Sequence, residues 1–197
     1  MSSNFLYRAV WAIGKPLFSL LFPHKVYGRE NIPAEGGFIL CANHIHAIDP
    51  IYIAAQLPMK RRVFFLAKKE LFKHKFIAAF LKKLGGVPVD RGAADIGAIR
   101  ASLQVIKDNY GMGIFPQGTR SPKNERMPML SGVAMIAMRA DAPVIPCFID
   151  GPYRLFRPVN VYFGAPIDKE PFGKRADRNT LEALTNAIED SVWSLKK

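Results

Sequence analysis

Acidic side chains are scarce in this sequence. Against 28 Lys and Arg stand 16 Asp and Glu, a formal net charge of +12 on 197 residues. That excess implies an anionic partner: nucleic acid, an anionic membrane or a phosphorylated substrate. Cysteine is scarcer still. Cys41 and Cys147 each sit in an apolar run that reads as a buried strand. No disulfide is expected, and the usage suits a reducing compartment. Long apolar runs are missing too. Crossing a bilayer takes about 20 continuous apolar residues. The most apolar stretch, residues 5–22, is interrupted by Arg8 and Lys15 and broken near its middle by Gly14 and Pro16. It carries no A-x-A-like cleavage site of a signal peptide. There is no internal repeat, linker or low-complexity segment.

What is present points to one folded domain. The length suits a single unit with a sizeable core, and 49% hydrophobic residues exclude disorder. Residues 1–23 are expected to form two short helices lying in a membrane interface, with a helix packed on the core as the competing reading. Residues 24–197 are expected to form an α/β domain, a mostly parallel or mixed sheet covered by helices, because short apolar runs alternate with helical periodicities. The runs at 25–28, 38–42, 63–67, 87–89, 112–115, 144–149 and 159–163 read as strands. Helices are expected at 49–56, 70–84, 95–109, 131–140 and 180–195. In the second of these, Phe72, Phe76, Ile77, Phe80, Leu81 and Leu84 form an apolar stripe assigned to the core.

The charge is local. Residues 60–83 hold nine Lys and Arg and one acid, Glu70, so nine minus one puts +8 of the excess in this segment. An amphipathic basic helix here suits an anionic membrane or an acidic partner protein, or is simply a solvated face. Nucleic-acid binding is not expected, since none of its usual motifs is present.

The chemistry gathers at 38–50, FILCANHIHAIDP. His44 follows a buried strand, where open α/β sheets place ligand sites. Asp49 lies five residues on, within reach across a short loop. A carboxylate on one imidazole nitrogen fixes the tautomer and leaves the other nitrogen free to take a proton. Asp49 is also expected to cap the helix that begins with it, Pro50 being suited to the first turn. His46 lacks such a partner and ranks second as a base. Cys41 reads as inert packing. A second site, residues 115–121, follows another strand at the same sheet edge. Gly118 lets the backbone approach a ligand, Arg120 offers a planar fork for phosphate, and Thr119 and Ser121 offer hydroxyls. Arg91, after the strand at 87–89, is a third group there.

Together these motifs resemble the 1-acylglycerol-3-phosphate acyltransferases, the lysophosphatidic acid acyltransferase group of glycerolipid acyltransferases. Four blocks stand in that family's order: Asn43-His44, four residues, then Asp49; Gly86-Val87-Pro88-Val89-Asp90-Arg91; residues 115–121; and Val144-Ile145-Pro146 within 142–147. Residues 67–72 also look like the family's segment between the first two blocks. The likeness covers roughly residues 38–151.

The resemblance implies transfer of an acyl group from coenzyme A or acyl-carrier protein to the 2-hydroxyl of lysophosphatidate. His44 would be the general base, and Asp49 its orienting partner. Arg91, Gly118, Thr119 and Arg120 would hold the acceptor's phosphate, with Asn43 and Gln117 among the substrate-binding residues. Lys68 would place positive charge near the oxyanion or the phosphate. No covalent enzyme intermediate, metal or cofactor is implied, and the protein would work on the cytoplasmic face of an anionic membrane. Three positions depart from the family's pattern: Gln117 where glutamate is common, His46 where serine is frequent, and Ser131 where lysine often precedes the glycine. Gln117 motivates an alternative acceptor, another lysophospholipid. A non-catalytic basic membrane-binding module and a thioesterase are the remaining alternatives.

Overall fold

The apolar run Phe38–Ala42 folds as the central strand of a seven-stranded sheet, with all five residues buried. In this computed structural model, residues 5–90, 95–173 and 175–197 are described. The strands are β1 (Val26–Tyr27), β2 (Phe38–Ala42), β3 (Val63–Lys68), β4 (Gly86–Val89), β5 (Gly111–Ile114), β6 (Val144–Asp150) and β7 (Asn160–Phe163). The helices are α1 (Phe5–Leu21), α2 (Asp49–Gln56), α3 (Lys75–Leu84), α4 (Ile96–Lys107), α5 (Gly132–Arg139) and α6 (Arg178–Trp193).

The sheet order is β1-β7-β6-β2-β5-β3-β4. From β6 to β4 every neighbouring pair is parallel, while β7 runs antiparallel to β6 and carries β1 parallel to itself. The expected mixed, mostly parallel sheet is therefore present. Alternation along β2 divides the core. Ile39 and Cys41 join the cluster under α4, α5 and α6; Phe38, Leu40 and Ala42 join the one under α1 and α2. Because five strands run the same way, their C-terminal ends, and the loops that leave them, share one edge.

Several expectations change. Residues 5–21 form one helix, not two, and Pro16 lies inside it. Proline removes one intrahelical hydrogen bond and strains the preceding turn. Tertiary contacts offset this: Phe18 and Phe22 meet Tyr52 and Tyr153 edge-on, with centroids 5.7 and 5.4 Å apart. The expected helix at 70–84 is a 3-10 turn, Lys69–Phe72, followed by α3. His74 between them is extended (φ −89, ψ 116), so the chain changes direction there. The α3 stripe is not core. Phe76 is 92% exposed, and Ile77 and Phe80 are nearly half exposed. In α4 the inward line is Ala98, Ser102 and Ile106, and Ile96 faces outward.

The basic segment is also less of a surface than its composition suggests. Arg61 is buried, bonded to the carbonyls of Gly36 and Asn109, and set over the Phe38 ring at 5.0 Å. Burial lowers its pKa. Arg62 donates to the Lys83 carbonyl and lies 4.6 Å from the Phe64 ring. Both join the sheet to its surroundings.

Candidate active site

His44 leaves the end of β2 and meets Asp49 at once. The imidazole Nδ1 lies 2.7 Å from Asp49 Oδ2. The same oxygen accepts the backbone N–H groups of Ile45 at 2.7 Å and His46 at 2.9 Å. Asp49 is fully buried and His44 only 8% exposed. The carboxylate thus turns back onto the loop before α2. Its expected second duty, capping α2, is not seen: no side chain caps that helix. The five-residue spacing lets the first helical residue reach the histidine, and the two loop amides hold its oxygen in place. With Asp49 accepting, Nδ1 carries the proton and Nε2 is the free base.

The ring is fixed on its face as well. Phe115 stacks on it with centroids 4.2 Å apart and planes 20° apart, and Phe65 stacks on Phe115 at 5.5 Å. A Cβ at Gly113 would come within 2.2 Å of the Phe65 ring, so β5 needs glycine there for the column to form. The loop after β5 also straps the His44 backbone. Gln117 Oε1 accepts the His44 N–H at 3.0 Å, and the Ser121 N–H donates to the His44 carbonyl at 2.7 Å.

Asn43 lies behind this arrangement. It is buried, donates to Asn124 Oδ1 at 2.8 Å and to the Ile149 carbonyl at 2.9 Å, and accepts the Ile149 N–H at 2.7 Å. Asn124, in a left-handed conformation (φ 55), donates to the same carbonyl at 3.1 Å. Asn43 is among the expected substrate-binding residues, and its amide joins the end of β2 to β6. Gln117 is likewise buried beneath His44, its Nε2 without a partner.

The remaining expected groups stand at the same edge. Gly118 takes φ +69, a left-handed turn that suits glycine, and Thr119 and Arg120 are exposed beyond it. Ser121 is buried, and its hydroxyl accepts the Glu125 N–H at 3.0 Å. Lys68 ends β3, half exposed and 3.8 Å from Glu70. Arg91 lies outside the described residues.

Local pattern placed Phe115 in the second site without a role of its own, and did not single out Asn124 or Tyr153. Gly113, inside a strand, marked the close approach of a ring. Nothing near Tyr153 in the chain marks its part. It follows β6 and packs on Tyr52 and on exposed His46, with centroids 5.3 and 5.4 Å away. Its hydroxyl and Asp49 Oδ1 are both buried and without hydrogen-bond partners. The phenol is pushed well above the usual tyrosine range by burial first and then by the neighbouring Asp49 charge. Cys41 and Cys147 are buried free thiols, and burial raises both far from the thiolate form.

Next to the dyad, a cavity of about 140 Å³ opens between α1, α2, β3 and α3. Ala47 and Pro50 line its end nearest the His44 loop, and Ala54, Phe65, Leu81 and Gly86 line its body. The lining is almost wholly apolar. A base beside an apolar slot, with exposed hydroxyl and guanidinium groups along the same edge, can activate the hydroxyl of a phosphate-bearing amphiphile.

Residues 24–150 match the family model described as Acyltransferase. A 1-acyl-sn-glycerol-3-phosphate acyltransferase of Bacillus subtilis (strain 168) is 32% identical over 187 residues, 92% of this chain and 92% of the relative. One from Streptococcus pneumoniae (strain ATCC BAA-255 / R6) is 29% identical over 176 residues, 86% of this chain and 64% of the relative. The crystal structure of the 1-acyl-sn-glycerophosphate (LPA) acyltransferase PlsC from Thermotoga maritima matches with a TM-score of 0.75 and 26% identity, over 99% of this chain and 83% of that one.

Proposed function

The chain belongs to the Acyltransferase family, and from that premise we propose that it transfers a fatty acyl group from a thioester to the 2-hydroxyl of 1-acylglycerol-3-phosphate, giving phosphatidate. The observation that carries this reading is the buried His44–Asp49 pair at 2.7 Å, at the end of the central strand.

In this reading His44 Nε2 takes the proton of the acceptor's hydroxyl as its oxygen forms a bond to the thioester carbon. The carbonyl electrons move to oxygen. They return as the carbon–sulfur bond breaks, and the imidazolium gives its proton to the departing thiolate. Asp49 holds the ring and offsets its positive charge while that charge lasts. Stacking on Phe115 and the two bonds to its backbone keep His44 in one orientation, so little is lost in arranging it. Thr119, Arg120 and the Gly118 turn, with Arg91, receive the acceptor's phosphate, and Lys68 adds positive charge. The apolar cavity beside Ala47 and Pro50 receives the donor's acyl chain.

The same reading places the protein on an anionic membrane surface, cytoplasmic face, with residues 1–23 as the anchoring segment and 24–197 as the catalytic domain. Among the described residues no helix is long and apolar enough to cross a membrane. On α1, Ile13, Leu17 and Leu20 are at least half exposed and share one side, while Phe18 and Phe22 pack inward. The helix therefore packs on the core by one side and offers an apolar stripe with the other. Exposed Phe76 on α3, among lysines, suits the same surface.

The test is incubation with lysophosphatidate and, separately, acyl-CoA and acyl-carrier protein, with products identified by mass spectrometry. Phosphatidate is expected from wild type and none above background from a folded His44→Ala variant. Undiminished turnover in that variant sinks the reading, and free fatty acid without phosphatidate marks a thioesterase. Gln117, neutral where the family's usual residue is charged, favours one alternative: another lysophospholipid as the preferred acceptor. Competing acceptors in one reaction decide it.

A further inference from the structure

The turn at residues 154–157 is unexplained by the site. Its tip is apolar and outward: Leu155 is 62% exposed and Phe156 68%. Arg154 and Arg157, both exposed, flank it, and neither has an ion-pair partner among the described residues. The turn is closed by the Arg157 N–H donating to the Arg154 carbonyl at 3.0 Å. Phe156 takes a positive φ of 60, a conformation unfavourable for a bulky residue, and its ring is left in solvent.

This turn is fixed to the end of α1. The Phe156 N–H donates to the Leu21 carbonyl at 2.7 Å, the Val159 N–H to the Pro23 carbonyl at 2.9 Å, and Tyr153 packs edge-on against Phe22. The exposed stripe of α1 ends at Leu20, one residue before that junction. Two apolar surfaces distant in sequence are thereby brought together, one a helix side and the other a turn with an arginine at each shoulder.

We propose that residues 154–157 are a second lipid-inserting element: Leu155 and Phe156 enter the interfacial layer of an anionic bilayer beside α1, while Arg154 and Arg157 bind headgroup phosphates. The proposal rests on the membrane-surface reading above and extends it to a segment outside the amino-terminal helix and the basic stretch. Apolar tips flanked by cations suit this boundary, where the tip leaves water and the charges stay at headgroup depth. Because Tyr153 touches both His46 and Phe22, such a contact would hold the His44 edge close to the lipid surface from which an acyl acceptor is taken.

The test is sedimentation with phosphatidylcholine vesicles and with vesicles of equal parts phosphatidylcholine and phosphatidylglycerol, using the full chain. Leu155→Ser/Phe156→Ser is expected to lower partitioning onto both, by about tenfold or more given the apolar area lost. Arg154→Gln/Arg157→Gln is expected to weaken binding about tenfold on the anionic vesicles only, an effect that added salt abolishes. Turnover of a short-chain, water-dispersed lysophosphatidate with acyl-CoA should be unchanged in both variants, which shows that they are folded. If wild type sediments and both variants sediment equally well, the turn proposal is overturned while the membrane reading stands. If wild type does not sediment, both fail. If vesicle binding is intact and only turnover with acyl-carrier protein falls, the turn docks an acidic carrier and the lipid proposal is wrong.

Discussion

Replacing Asp49 by Asn separates two duties that a carboxylate beside a catalytic histidine can have. One is to hold the imidazole tautomer; the other is to balance the charge the ring gains. In many such pairs an amide fails at the first, because its nitrogen turns toward the ring. Here that turn is opposed. Oδ2 of Asp49 accepts two backbone N–H groups, from Ile45 and His46, in addition to Nδ1 of His44. An amide nitrogen in that position would face two donors, which costs about 1–3 kcal/mol for each group left unpaired. The asparagine oxygen is therefore expected where Oδ2 is now, with Nδ1–H still accepted and Nε2 still free. What is lost is the charge. At about 4 Å between charge centres and an effective dielectric of about 20, that is worth up to about 4 kcal/mol. Allowing for relaxation, a loss of about 2–4 kcal/mol corresponds to about 30- to 1,000-fold in kcat. The assay is thiol release from acyl-CoA at saturating lysophosphatidate, with far- and near-ultraviolet circular dichroism to confirm the fold. A loss as deep as that of His44→Ala refutes the tautomer argument. A change of less than about threefold refutes the charge argument.

Three further outcomes are expected. Tyr153→Phe removes a buried hydroxyl that lies beside Asp49 with no partner in hydrogen-bonding geometry; thermal stability should hold or rise, and kcat should stay within about threefold of wild type, since no hydrogen bond is lost. A fall in both kcat and Tm would show that the hydroxyl bonds Asp49 after all. Ala54→Leu fills part of the cavity beside α2, so preference among acyl-CoA donors should move to shorter chains, and an unaltered preference places the acyl chain elsewhere. Asp95 accepts the Asp90 and Ala98 N–H groups at 2.8 and 2.9 Å, and these bonds hold its carboxyl below its usual 3.8. Its contribution to stability is complete above that value and lost as pH falls through the depressed one. The stability gap between wild type and Asp95→Ala in urea should thus be constant at neutral pH and close in acid.

Local pattern carried much of the fold. Five apolar residues between turn signals made β2, and Asp49-Pro50 after a short loop made the start of α2, because both choices depend on backbone preferences acting within a few residues. The dyad was legible for the same reason: His44 and Asp49 are close in the chain. Other inferences failed where the deciding contact was remote. A periodic stripe says that a helix has an apolar side and not what covers it, so Phe76 could be assigned to a core it does not enter. Pro16 is a helix breaker in isolation, and α1 continues through it because Phe18 and Phe22 find Tyr52 and Tyr153. Arg61 counted as surface charge until Phe38 and two carbonyls enclosed it.

By itself, then, the sequence determined the strand and helix periods, the basic excess, the spacing of the base and its carboxylate, and the ordered blocks that mark the family. Only the tertiary structure decided that Phe115 lies under His44, that the Asn43 amide joins β2 to β6, and that a turn at 154–157 stands beside α1. Each of these depends on segments far apart in the chain, and their proximity is set by the register of a parallel sheet.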